Sequence, residues 1–177
     1  MSTQQPTQKV SVATVWLDGC SGCHMSLLDM DERLLELATS IDIVYSPFFD
    51  YKKFPEQVDL TLVEGSVSSE DDLAKIKHIR EHTRLLISMG DCAVTGNVPS
   101  LRNPFGAEAV MQRVYAPHVP NVIVPRLLSR VLPVHQVVTV DAFLPGCPPS
   151  ADVLYFALTE LLAGRIPDVS GYTRFGK

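Results

Sequence analysis

"VSVATVWLDGCSGCHMSLLDMDERLLELA" (residues 10–38) runs from an apolar, β-branched stretch into a helical pattern, with two cysteines at the junction. Residues 10–17 are rich in Val and Thr and end at Asp18-Gly19, which predicts a buried strand. Leu27, Leu28, Leu34, Leu35 and Ala38 fall at helical spacing over residues 26–38, so a helix is expected to begin just after Cys23. A Cys-x-x-Cys placed between strand and helix suits half a zinc site, a thioredoxin-like redox pair or part of an iron–sulfur nest.

The rest of the chain repeats the alternation. "IDIVYS" (41–46) reads as a second strand, "VDLTLVEG" (58–65) as a third, and "RLLISMGDC" (84–92) as a fourth running into Cys92. Between the second and third lies "SPFFDYKKFPEQ", a loop with two prolines and four aromatics. "SSEDDLAKIKHIREH" (68–82) opens on Ser-x-x-Asp, from Ser68 or from Ser69, and predicts a capped amphipathic helix. In 93–132, rich in proline, only "NPFGAEAVMQRVY" and "PRLLSRVL" look helical. "QVVTVDAFLPGC" (136–147) predicts a fifth strand, and "PPSADVLYFALTELLAG" a final helix stopped by Gly164. Such alternation predicts an α/β fold with a parallel sheet covered on both faces, its ligands beyond the carboxyl ends of the strands.

A chain of 177 residues, 46% hydrophobic, predicts one domain with a real core. The net charge of −5, with basic residues scattered, argues against nucleic acid as the main partner. The polar start has no apolar core and no twin arginine, and no apolar stretch is long enough to span a membrane, so a soluble, cytoplasmic protein is expected. In that compartment four cysteines point to metal or redox chemistry rather than to structural disulfides.

Cys20 and Cys23 follow the first predicted strand, Cys92 the fourth and Cys147 the fifth, so all four thiols are expected at one edge of the sheet. Four thiolates suit a tetrahedral ion or a cubane cluster. The single close pair with two isolated cysteines favours the cluster, because structural zinc usually sits between two compact knuckles. Gly19, Gly22, Gly90 and Gly146 allow close approach of backbone N–H groups to inorganic sulfur. "GCPP" places proline directly after a cysteine, as in ferredoxin ligand runs. The thioredoxin reading leaves Cys92 and Cys147 unexplained, and a zinc-stabilised interaction module is the non-enzymatic alternative.

"LDGCSGCHMSLLD", "VEGSV", "GDCAVTGNVPSLRN" and "LPGCPPSADVLYFALTELLAGRIP" together resemble the small, electron-transferring subunit of [NiFe] hydrogenases, nearest to that of cytoplasmic NAD-reducing hydrogenases. The resemblance runs from about residue 10 to 167. It implies a single flavodoxin-like domain over 10–167, with a flexible N-terminus over 1–9 and a C-terminal tail over 168–177. It also implies that Cys20, Cys23, Cys92 and Cys147 bind one [4Fe–4S] cluster, next to a Ni–Fe centre in a separate large subunit. FMN and NAD are then expected in iron–sulfur and flavin diaphorase subunits, since no G-x-G-x-x-G follows any strand here. With no leader and no fifth cysteine, no second cluster of ordinary ligation is expected. A small subunit linked to F420 or NADP, or the cluster subunit of respiratory complex I, are the neighbouring alternatives; complex I relatives carry adjacent cysteines in the first motif.

Relatives in this resemblance often carry glutamate just after the second cysteine, in the proton path. Here His24 follows it, open to three readings: a proton relay, a hydrogen-bond donor to the cluster, or a residue packed at the subunit interface. Glu64 either lines the cluster edge or caps a turn, Asp91 is read as a turn residue, and Arg102 and Asn103 are left without a physical role. Phe48, Phe49, Tyr51 and Phe54 are read as an interface cluster or as loop packing.

Overall fold

The computed structural model describes residues 9–51 and 53–176, so the expected flexible N-terminus lies, Lys9 apart, outside the described residues. Five parallel strands form the central sheet: β1 (Val10–Trp16), β2 (Ile41–Tyr45), β3 (Val58–Glu64), β5 (Thr83–Met89) and β7 (Ala142–Leu144), in the order β2-β1-β3-β5-β7. This is the flavodoxin-like order, with the chain direction across the sheet reversing between β1 and β3, where such folds open a crevice. The inner strands are buried on both faces, which is why they read as near-continuous apolar runs.

Alternate residues of these strands feed two cores. On one face Val12, Leu60, Leu62, Ile87 and Leu144 pack against α1 (Gly22–Leu28), α2 (Arg33–Leu37) and α6 (Ala151–Leu162), chiefly through Leu27, Leu37, Leu154 and Ala157. On the other, Val15, Val63 and Leu86 meet Ile76 and Ile79 of α3 (Glu70–Glu81) and Ala93 of α4 (Asp91–Thr95). The start of α3 is a capping box: the Ser69 hydroxyl accepts from the Asp72 backbone N–H, and the Asp72 carboxylate accepts from the Ser69 N–H. Ser69, not Ser68, is therefore the cap.

Three expectations need correction. The helix after β1 begins at Gly22, within the Cys-x-x-Cys rather than after it, and breaks between Leu28 and Arg33, where Asp31 takes a positive φ of 50°. The break turns Met30 and Leu37 into the core and leaves Leu35 exposed. "PRLLSRVL" is not helical: β6 (Leu127–Leu132) pairs antiparallel with β4 (Val67–Ser69). Its backbone is held by side chains, for Asn103 Nδ2 donates to Val131 O (3.0 Å) and Asn103 Oδ1 accepts from Val131 N (2.7 Å). Arg102 bridges the small sheet, donating to Leu128 O and Ser68 O, both at 3.0 Å. Finally, the fifth strand of the large sheet is only Ala142–Leu144. Ahead of it Val137, Val138 and Val140 pack on the second core from a loop, so apolar character there reports burial rather than pairing. The helical reading of residues 103–115 holds as α5 (Ala107–Tyr115).

Among the described residues no helix is long and apolar enough to cross a membrane. The tail after α6 folds back: Thr173 Oγ1 donates to Pro145 O at 2.7 Å, and Tyr172 lies 5.0 Å from Phe156, centroid to centroid.

Candidate metal centre

β1 delivers the chain to the carboxyl edge of the sheet, where Asp18 exchanges backbone hydrogen bonds with Ser66 (3.1 and 2.8 Å) and so fixes the loop that carries Cys20. Cys20 is exposed and Cys23, in the first turn of α1, is buried. Ser21, at the N-cap, makes no side-chain cap. Glu64, at the end of β3, supplies one instead. Its carboxylate accepts from His24 N (2.9 Å) and Cys23 N (3.4 Å), and it meets His24 Nδ1 in a short contact. Both side chains are buried, and Phe48 covers the His24 ring edge-on at 5.5 Å. The imidazole is thus held inside this chain, which removes the reading of His24 as a residue displayed at an interface. Its Nε2 has no protein partner among the described residues.

The other two thiols come from β5 and β7. Gly90, at a φ of 83°, turns the chain so closely past Cys23 that a Cβ there would overlap Cys23 Sγ. A side chain would also be strained at that φ, so glycine is required twice over. Asp91 is 4% exposed, and its carboxylate accepts from Gly146 N (2.7 Å) and Gly176 N (2.6 Å). Its own N–H donates to Gly146 O at 2.9 Å. Asp91 therefore joins the Cys92 turn, the Cys147 turn and the tail. Asn97 Nδ2 donates to Cys147 Sγ at 3.4 Å, and Ser26 Oγ donates to Pro149 O, tying α1 to the same turn.

Cys20, Cys23, Cys92 and Cys147 are all brought to this edge. Burial, the Glu64 carboxylate and the three other thiols push the Cys23 thiol well above its ordinary range. Burial, Cys147, Cys20 and Glu64 push Cys92 up to about 11. Packed so closely, these groups ionise together only with positive charge among them, which bound iron or zinc supplies. The close approach of the Gly90 backbone to Cys23 Sγ and the donor on the Cys147 sulfur suit a cluster, whose sulfurs are approached by backbone and side-chain donors.

Glu64 and Asp91 carry more of the site than their sequence reading gave them, and Asn97 was not singled out at all. A carboxylate at the end of an apolar strand was the available signal for Glu64. Nothing local marks Asn97.

The family model for "NADH ubiquinone oxidoreductase, 20 Kd subunit" matches residues 20–161, and the chain belongs to this family of oxidoreductase subunits. Its similarities within and around the family are more particular. The delta subunit of the NAD-reducing hydrogenase HoxS of Cupriavidus necator is 41% identical over 168 residues, covering 89% of this chain and 80% of that one. One subunit of the F420-non-reducing hydrogenase vhu of Methanococcus voltae is 39% identical over 91% of this chain, which spans 59% of that relative's length. A solved chain from an NAD+-reducing [NiFe]-hydrogenase in the H2-reduced state superposes with a TM-score of 0.90 at 39% identity, covering 95% of this chain and 99% of that one. The resemblance carried by the four motifs and the flavodoxin-like fold are both borne out.

Proposed function

We propose that this chain is the electron-transferring small subunit of a cytoplasmic NAD-reducing [NiFe] hydrogenase, with Cys20, Cys23, Cys92 and Cys147 holding one [4Fe–4S] cluster. The observation that carries the reading is the convergence of four thiols from three strand ends on one edge of the sheet. When bound, the cluster passes single electrons between a Ni–Fe centre in the large subunit and a flavin and NAD module in further subunits, for H2 + NAD+ = H+ + NADH. The residues of this chain position and shield: Glu64 caps the turn that carries Cys23, Asp91 locks Cys92 to Cys147, and Asn97 donates to the Cys147 sulfur. The F420-non-reducing relatives support a second reading of the electron acceptor, on the same site and fold.

Anaerobic co-purification with the large subunit tests the site. About four irons and four sulfides per chain are expected, with a brown colour. Cys92→Ser and Cys147→Ser are expected to lose or convert the cluster as surely as Cys20→Ser. Full iron content in Cys147→Ser, or a colourless zinc protein, overturns the assignment.

A further inference from the structure

α3 ends at the amino edge of the sheet, on the opposite side from the cysteines. Its last turn and C-cap carry His78, Glu81 and His82, whose ligand atoms all lie within 4.8 Å of one another. Residues at i, i+3 and i+4 share one face of a helix, so these three side chains converge.

The histidines are oriented by their surroundings. His82 Nδ1 lies 2.7 Å from the backbone carbonyl of His78. A carbonyl only accepts, so Nδ1 carries the proton and Nε2 presents its lone pair outward. That is the arrangement seen in metal-ligating imidazoles, whose second nitrogen is held by a carbonyl or carboxylate. The His78 ring is lodged between His82 (4.3 Å) and Phe54 (6.3 Å).

A fourth group stands beside them. Val58 N donates to His82 O at 2.8 Å, fixing the start of β3 against the helix end, and this brings Glu56 Oε2 to 3.8 Å from His82 Nε2. The exposed carbonyls of a helix C-terminus favour a cation there.

We propose that His78, Glu81 and His82, completed by Glu56, form a binding site for a divalent transition-metal ion of the Zn2+, Ni2+ or Cu2+ class. Two imidazoles and two carboxylates suit these borderline ions, whereas Ca2+ and Mg2+ prefer oxygen alone. The ion clips the end of α3 to the loop entering β3. The seven-residue strands between the two edges rise about 3.3 Å per residue. This puts the ion about 20 Å from the thiols, so its site is independent of the cluster reading.

The test uses the anaerobically purified complex with the large subunit, its thiols already occupied, dialysed against chelator and then against buffered Zn2+. The wild-type complex is expected to bind one zinc more than the His82→Ala complex, with affinity reduced at least about tenfold in His78→Gln. Cu2+ added in place of zinc is expected to show nitrogen splitting from two imidazoles in its electron paramagnetic resonance, and from one in His78→Gln. Both histidines are on the surface side of the helix, so an unaltered far-ultraviolet circular dichroism spectrum certifies that each variant is folded, whatever the four thiols hold. Equal zinc content in wild type and His82→Ala, or copper splitting unchanged in His78→Gln, overturns the proposal.

Discussion

Asp91 gives its whole carboxylate to backbone N–H groups 55 and 85 residues away in sequence, at Gly146 and Gly176. Asp91→Asn keeps the shape but turns an NH2 toward one of those donors. Leaving a buried donor unmet costs about 1–3 kcal/mol. The expected outcome is faster loss of iron to a chelator and easier proteolysis of the tail, both measurable without turnover; wild-type rates in the variant would show the bonds to be incidental. Asn97→Ala is expected to lower the reduction potential, because a donor to sulfur favours the more negative, reduced state. His24 stands between relay and positioning. A relay predicts that His24→Ala slows hydrogen–deuterium exchange, since a positioned acid–base group contributes about 10²–10⁴-fold and a loss under about threefold excludes it. Positioning predicts a shifted potential with exchange kept. Away from the site, the Ser11 N–H and hydroxyl hold the Asp59 carboxyl below its ordinary range. A folded pKa below the unfolded one adds stability above the unfolded value, lost as pH falls through the folded one. Asp59→Asn is therefore expected to flatten the acid limb of a stability–pH curve. None of these partnerships was legible in sequence, because each joins residues that only the fold makes neighbours.

Elements were legible where local pattern and tertiary packing agree, as in β1, β3, β5, α3 and α6. The capping box at Ser69 is local chemistry and can be read from four residues. β6 could not be. Its apolar residues, Leu127, Leu128, Val131 and Leu132, fall at helical spacing, yet Asn103 and Arg102 hold them extended from a turn far upstream. Asn103→Ala removes both bonds to Val131 and is expected to destabilise the protein by about 1–3 kcal/mol. The Val131 amide should lose its hydrogen-exchange protection more than the amides of β3. Equal protection in the variant would mean that β4 alone holds the strand. Cys-x-x-Cys was recognisable as a site at once, but the helix start within it was not, because Glu64 caps that turn from another strand.

Across the whole molecule, apolar side chains crowd the loops beyond the carboxyl ends of the strands. Met25, Phe49, Val98, Leu101 and Phe105 are all exposed there, the last at 72%. Such a patch on the side of the four thiols suits a covering partner, and co-expression with the large subunit is expected to raise soluble, iron-loaded yield over expression alone. A monodisperse monomer that keeps its cluster would count against that. The same architecture governs when the site can exist at all. The clasp on Asp91 spans from the turn before Cys147 to Gly176, and the four thiols follow β1, β5 and β7, the last of which is the final strand of the sheet to be made. During synthesis the early cysteines emerge long before their partners, and domains fold as units once their sequence is out. A ribosome-held chain stopped short of β7 thus offers loose thiols and no cradle. Under the proposed function cofactor loading then follows translation, and a nascent chain of that length is expected to retain no iron.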